Sequence, residues 1–287
     1  MPFACRVLVH AVILLCILTM AKCIAVVTGS NQGIGREIAR NLARDQHVIL
    51  ACRNPSAGVQ ACSEMTSEGL DVEFMRLDIA DKTSIQNFAS TVANKYPEGI
   101  DTLVNNAATA FKGSDPTPFS DQADPTFKTN LFGTIDLTEA LLPLLKKSPR
   151  GAKIVNVASM AGHLKILAAS PDKQKQFVEA SSTAEVKALA QSFIEAVKDG
   201  THAAKGWPNT CYGMSKLALI SYTNMLSRRE PSIQVNSCCP GYVATSMSSG
   251  RGTKTPAQGA VTPTMLAMLA DKSVTGQFWS EGRSKDW

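Results

Sequence analysis

Cys23-Ile24-Ala25-Val26-Val27-Thr28-Gly29-Ser30-Asn31-Gln32-Gly33-Ile34-Gly35 decides the fold of this chain. The apolar run Cys23–Val27 reads as a short strand that stops at a turn carrying Gly29, Gly33 and Gly35. An amphipathic helical pattern follows through Arg44. Strand, glycine turn and helix in this order are the context of a dinucleotide fingerprint. Gly29 permits the tight turn, Gly33 lets backbone approach a pyrophosphate, and Gly35 lets the helix pack closely on the strand. The helix N-terminus offers free amides and the positive end of its dipole to phosphate. Ser30, Asn31, Gln32 and Ile34 complete the turn and are candidate cofactor-binding positions with it.

The next strand, Val48–Ala51, runs into Cys52-Arg53-Asn54. NAD enzymes place a carboxylate at this strand end for the ribose 2′-hydroxyl. A carboxylate repels a 2′-phosphate, whereas a guanidinium grips one in a fork. Arg53 therefore points to NADP(H) as the cofactor.

Strands and helices then alternate. Pro55–Ser67 reads as a helix, Val72–Leu77 as a strand, Thr83–Tyr96 as a helix and Asp101–Val104 as a strand. A proline-bearing loop through Pro116, Pro118 and Pro125 leads to the helix Leu131–Lys147 and the strand Ala152–Val157. Ile233–Cys238 is a sixth strand, Pro256–Leu269 a helix and Gly276–Ser280 a last short strand. This alternation predicts an α/β fold, a single doubly wound Rossmann-type parallel sheet of about seven strands with helices on both faces.

In such sheets ligands bind outside the carboxyl ends of the strands. Thr28, Asp78, Asn105 and Ser159 all lie at those ends. Asp78 and Ile79 suit an adenine ring, with the carboxylate accepting from its amino group. Asn105 and Asn106, before Ala107, either crosslink strand ends or line the cofactor site; Asn also favours plain turns. Asn130 interrupts a helical region at a cost in propensity. Ser246–Thr255 is small, polar and Gly-rich, as a lid would be.

Tyr212-Gly213-Met214-Ser215-Lys216 lies in a predicted helix, Cys211–Arg228. Residues four apart share a helix face. A cation beside a phenol favours its anionic form and draws its pKa downward, which makes Tyr212 a candidate proton donor.

The formal net charge of +5 is mild, and no basic run exceeds a pair, so the charge gives no case for nucleic acid. The eight cysteines include no C-x-x-C pair or metal-ligand spacing, which reads as free thiols in a reducing compartment, with no metal site. Val7–Met20 is apolar apart from His10 and Thr19, with Arg6 before it. Residues 1–21 read as an extension, a short membrane anchor or a signal peptide; the run is below the about 20 residues a span needs. The expected location is the cytoplasm, with the endoplasmic reticulum membrane as the alternative through that segment.

Together these motifs resemble the short-chain dehydrogenase/reductases over nearly all of the chain from Cys23 on. The likeness rests on Thr28-Gly29-x-x-x-Gly33-Ile34-Gly35, Asn105-Asn106-Ala107, Asn130, Ser159, Tyr212-x-x-x-Lys216 and Pro240-Gly241. Within the family the chain is most similar to the monomeric carbonyl reductases, through Leu50-Ala51-Cys52-Arg53, Asp115-Pro116-Thr117-Pro118-Phe119, Gly206-Trp207-Pro208, Cys238-Cys239-Pro240-Gly241 and Gly276-Gln277-Phe278. Ser159 and Tyr212 stand 53 positions apart, a wider gap than most members have. The monomeric branch carries a helical insert there, covering the face other members use for tetramers; residues 164–205 resemble it, within a domain spanning 22–287. Plant menthone and salutaridine reductases share the arrangement.

The resemblance implies NADPH-dependent reduction of aldehydes, ketones or quinones by a monomer. Tyr212 would donate the proton, and Lys216 would hold the nicotinamide ribose and stabilise tyrosinate. Ser159 would stabilise the developing alkoxide, and Asn130 would hold a water linking Lys216 to solvent. Pro240, Gly241, Val243 and Thr245 join the implied cofactor set. Phe111-Lys112 matches a segment that contacts glutathione in some carbonyl reductases. Two departures stand out: Ala108 where the family has Gly, and Gln32 where carbonyl reductases tend to carry Lys. A dedicated steroid, terpenoid or alkaloid ketone reductase and a non-catalytic NADP(H) sensor are the competing readings; the intact Asn130, Ser159, Tyr212 and Lys216 set argues against the sensor.

Overall fold

The computed structural model describes residues 22–287; the apolar segment 1–21 lies outside the described residues. In chain order the elements begin β1 (Ile24–Thr28), α1 (Gly33–Leu42), β2 (His47–Cys52), α2 (Pro55–Ser67), β3 (Val72–Arg76), α3 (Lys82–Lys95) and β4 (Thr102–Asn105). There follow α4 (Phe119–Phe127), a π-turn (Lys128–Phe132), α5 (Gly133–Lys146), β5 (Lys153–Val157), α6 (Pro171–Glu179), α7 (Thr183–Lys198) and α8 (Cys211–Arg229). The chain closes with β6 (Gln234–Cys239), α9 (Pro256–Met268), β7 (Phe278–Ser280) and β8 (Arg283–Lys285).

The strands form one sheet in the order β3-β2-β1-β4-β5-β6-β7-β8. Every pair is parallel except β7 with β8. Chain order reverses at β1, which lies between β2 and β4, and that switch point opens the ligand crevice. The register pairs Thr28 with Ala51, Asn105 with Asn156 and Val157 with Cys238, so the C-terminal strand ends meet at one edge. One face carries a core from α3, α5, α7 and α8, including Phe88, Ile135, Phe193 and Tyr222. The other is covered by α1, α2 and α9 through Ile38, Met65 and Ala260. Apolar residues on both faces explain why β1, β2 and β4 read as near-continuous hydrophobic runs.

Two departures from the sequence expectation have physical causes. The proline-bearing loop is α4 from Phe119 on: Pro118 serves as its N-cap, and Pro125 lies inside it. Burial of Ala123, Thr126 and Phe127, with Phe127 stacked 5.5 Å from Phe193, outweighs the one backbone bond a proline removes. The sheet has an eighth strand, three exposed residues long, too short and too polar to show alternation. The expected lid, Ser246–Thr255, is anchored at both ends: Ala244 N donates to Lys254 O at 2.8 Å and Lys254 N to Tyr242 O at 3.0 Å.

Residues 164–205 supply α6 and α7, which lie against α8. Ser221 Oγ donates to Phe177 O at 2.5 Å and Arg228 Nη2 to Ala180 O at 2.6 Å. Lys187 Nζ reaches Asp136 on α5 at 2.7 Å. Among the described residues no helix is long and apolar enough to cross a membrane.

Candidate active site

The glycine turn is built by contacts no side chain would allow. A Cβ on Gly35 would lie 2.4 Å from both Gly29 O and Asn106 Nδ2. Gly29 itself has φ +64°. Thr28 fixes the neighbouring strand end, its Oγ1 accepting from Asn106 N and Ala107 N at 2.9 Å each. Asn106 Nδ2 donates to Thr28 O at 2.9 Å. Helix α1 then starts with Gln32 as N-cap, making no side-chain cap bond, and with no acidic residue in its first turn. Its leading amides face a cleft of about 610 Å³.

The cleft brings together most of the predicted positions. Gly29, Asn31, Gln32, Gly33, Ile34 and Gly35 line one end, with Arg53, Asp78, Ile79 and Ala107 beside them. Tyr212, Lys216 and Pro240 line the cleft as well, and Thr245 stands against the glycine turn, its Cγ2 3.3 Å from where a Cβ on Gly33 would lie. Arg53 is exposed, as a guanidinium that meets a 2′-phosphate must be. The uncapped helix start, the side-chain-free turn and the Arg53 cation fit a phosphorylated dinucleotide.

Several predicted positions stand elsewhere. Asn105 is a correction: it is buried, its Nδ2 donating to Thr138 Oγ1 at 3.0 Å and Asn156 Oδ1 at 2.8 Å. Its amide joins β4 to β5 and α5 and turns away from the cleft; successive strand residues face opposite sides. Asn106, the other of the two asparagines read as crosslinking strand ends or lining the cofactor site, lines the cleft, as do Thr109, Lys128 and Met247, which sequence reasoning missed. Ser30 and Val243 are buried behind the wall, and Ser30 Oγ has no partner among the described residues. Gly241, with φ +89°, shapes the turn beside Pro240.

The proton-handling groups come from two elements packed without a gap. Ser159 stands two residues beyond β5 and caps a short turn, its Oγ accepting from Ala161 N at 3.1 Å. Gly162 in that turn lies against α8: a Cβ there would sit 2.6 Å from Leu217 N and Lys216 C. This close approach brings Ser159 beside Tyr212, where its hydroxyl acts on the phenol. Lys216 Nζ donates to Val157 O at 2.8 Å and stands 5.7 Å from the centre of the Tyr212 ring.

Burial governs both ionisations. It pushes the Tyr212 phenol up to about 12, the Ser159 hydrogen bond opposing it. It also pushes the Lys216 ammonium down to about 8. The expected lowering of the Tyr212 pKa by its lysine neighbour is therefore corrected: desolvation exceeds the pull of a cation whose proton is directed to a backbone carbonyl.

Asn130 occupies the π-turn, fully buried. Its Oδ1 accepts from Thr109 N at 2.8 Å, and its Nδ2 donates to Thr109 O at 2.9 Å and Ser215 Oγ at 3.1 Å. Tyr242 is 55% exposed. Met160, next to Ser159 in sequence, and Met247, which lines the cleft, are further large apolar side chains left exposed.

Fold and cleft define a dinucleotide-dependent oxidoreductase, and the sequence matches the short chain dehydrogenase family over residues 23–171. The chain belongs to that family. It is 40% identical over 275 residues to carbonyl reductase [NADPH] 1 of Rattus norvegicus and of Homo sapiens, covering 92% of this chain and 98% of each relative. Among solved structures it is similar to salutaridine reductase from Papaver somniferum, with TM-score 0.82 and 28% identity over 90% of this chain and 99% of that one. Menthone neomenthol reductase from Mentha piperita gives TM-score 0.77 and 27% identity over 91% and 99%.

Proposed function

We propose that this protein reduces carbonyl compounds, namely aldehydes, ketones and quinones, to alcohols with NADPH, Tyr212 donating the proton. One observation carries the reading: Tyr212, with Ser159 beside it and the buried Lys216 one turn on, lines the same cleft as the glycine turn and Arg53, which fit a phosphorylated dinucleotide. The carbonyl reductase [NADPH] 1 relatives support the same cofactor and reaction class.

The nicotinamide, when bound, supplies hydride to the carbonyl carbon. Tyr212 is protonated throughout neutral pH, since burial raises it to about 12, and it gives that proton to the carbonyl oxygen. Ser159 Oγ hydrogen-bonds the same oxygen as its charge develops. The Lys216 cation holds the ribose hydroxyls and stabilises the tyrosinate left behind. The Asn130 side-chain amide is committed to Thr109 and Ser215, so a water linking Lys216 to solvent rests on the Asn130 carbonyl.

The catalytic domain spans residues 22–287 with its insert at 164–205, and the insert makes the protein a monomer. Support comes from α6 and α7, which cover α8 and reach α5. The free cysteines among the described residues suit the reducing cytoplasm. A dedicated ketone reductase is the second reading, favoured by the TM-score of 0.82 with salutaridine reductase and by the exposed Met160, Tyr242 and Met247.

Consumption of NADPH and NADH is followed in parallel with menadione, an aromatic aldehyde and a panel of polycyclic ketones. Broad turnover with NADPH supports the first reading, and turnover of one ketone class alone supports the second. Saturable NADPH binding without any turnover overturns both.

A further inference from the structure

Four hydrogen bonds run from the cleft wall to the backbone of the proton donor. Thr109, which lines the cleft just beyond β4, gives its N–H to Asn130 Oδ1 at 2.8 Å and accepts from Asn130 Nδ2 at 2.9 Å. Asn130 Nδ2 also donates to Ser215 Oγ at 3.1 Å, and Ser215 Oγ donates to the Tyr212 carbonyl at 2.8 Å. Asn130 and Ser215 are fully buried, so water does not compete for these bonds. The two-point grip on Thr109 is what a neighbouring strand would offer, and it fixes that wall segment in both position and orientation. Asn130 stands in the π-turn, whose widened geometry lets its amide span from the wall to α8.

We propose that Ser215 is a positioning residue: it sets the distance between the Thr109 wall and the Tyr212 phenol by tying the first turn of the catalytic helix, through Asn130, to that wall. The inference rests on the reading of Tyr212 as proton donor. Ser215 touches neither cofactor nor substrate and acts through the placement of its neighbours. A displacement of about 1 Å at a reacting group costs up to about 100-fold in rate, so a single hydroxyl at this place has leverage. The glycine turn and Arg53, which meet the phosphates, belong to other elements, so most of the cofactor affinity does not depend on this tie.

The test compares Ser215→Ala and Ser215→Thr with the unaltered chain. Ser215→Ala lowers kcat about 10-fold or more while the Kd for NADPH stays within about twofold, and Ser215→Thr, which keeps the hydroxyl, restores most of kcat. Unchanged kcat in Ser215→Ala overturns the proposal. So does a parallel loss of kcat, NADPH affinity and Tm in both variants, which marks a structural role alone. A readout independent of turnover separates this from the carbonyl-reductase reading. The Lys216 Cε resonance, in protein labelled with ¹³C-lysine and assigned with Lys216→Met, titrates near about 8 in the unaltered chain. Loosening α8 admits water and moves that titration upward by half a unit or more in Ser215→Ala. If the unaltered chain reduces no carbonyl, an upward shift still upholds the positioning role, and an unmoved titration overturns it.

Discussion

Lys216 and Tyr212 are one helical turn apart, yet the ammonium is hydrogen-bonded to the Val157 carbonyl at 2.8 Å and stands 5.7 Å from the centre of the phenol ring. The cation is thus anchored to the end of β5 and shares a buried pocket with the phenol. Both groups are driven toward their neutral forms, the phenol to about 12 and the ammonium to about 8.

The displaced lysine gives a signature in stability. Its pKa is about 8 when folded and 10.5 ordinarily. Between those values the unfolded chain holds more protons than the folded one, so stability rises with pH across that window. Below pH 8 the cost of the buried charge is present in full, on the order of 3 kcal/mol at about 1.4 kcal/mol per pKa unit. Lys216→Met removes this dependence, although it leaves Val157 O without its donor. The difference in urea-unfolding free energy between variant and unaltered chain therefore shifts against the variant as pH rises from 8 to 10.5. Parallel stability curves would refute it.

Tyr212→Phe keeps the ring and removes the proton. Carbonyl reduction falls by about 10²–10⁴-fold while NADPH fluorescence titration gives an affinity close to that of the unaltered chain. With the phenol at about 12, loss of its proton contributes no decline to the alkaline side of kcat/KM between pH 6 and 9. A decline of unit slope in that range that Tyr212→Phe abolishes would contradict the raised phenol, and near-normal turnover in Tyr212→Phe would contradict its role as donor.

Arg53→Asp reverses cofactor choice. Losing a charge-assisted bond to the 2′-phosphate and placing a carboxylate there weakens NADPH binding by about 10–100-fold and favours NADH. The ratio of kcat/KM for the two cofactors reads the change. An unchanged ratio removes Arg53 from the 2′-phosphate site.

The fingerprint, the parallel sheet and the cleft-lining set around Gly29–Gly35 and Arg53 were legible because strand period, glycine spacing and strand-end position are local features. Asn105 and Asn106 were not distinguishable, since which of two adjacent residues faces the cleft depends on sheet register. The helix through Pro125 was hidden because its support, the Phe127–Phe193 contact, spans distant sequence. The Tyr212–Lys216 spacing was readable, but the Val157 carbonyl that accepts the lysine's hydrogen bond belongs to a strand distant in sequence. Burial, which sets both pKa values, leaves no mark on a four-residue spacing.

Gly162→Ala tests the packing that brings Ser159 to Tyr212. The added Cβ would meet Leu217 N and Lys216 C at 2.6 Å, and backbone does not yield as a side-chain tip would. The turn must move off α8, costing about 1–3 kcal/mol in chemical unfolding. Because Ser159 moves with the turn, kcat falls by more than the stability loss explains at a temperature where the variant is still folded. Full activity in a folded Gly162→Ala variant would uncouple the turn from the site.

Trp207→Ala addresses the insert. The indole is buried, with Phe177 and Phe193 edge-on at 6.4 and 5.7 Å and the Lys173 ammonium 4.8 Å from its ring centre. It joins α6 to α7 and closes the chain just before α8. Truncation to alanine costs about 3–5 kcal/mol, as for other large buried aromatics. The loss falls first on the insert, whose remaining ties to the body include the Lys187–Asp136 pair and the bonds of Ser221 and Arg228 to backbone carbonyls. As α6 and α7 loosen, the apolar surface of α8 beneath them is uncovered. Sedimentation velocity on the variant then shows self-association that grows with concentration, while the unaltered chain stays monomeric. A variant that unfolds in one step and remains monomeric throughout would show that the insert is not what separates the copies.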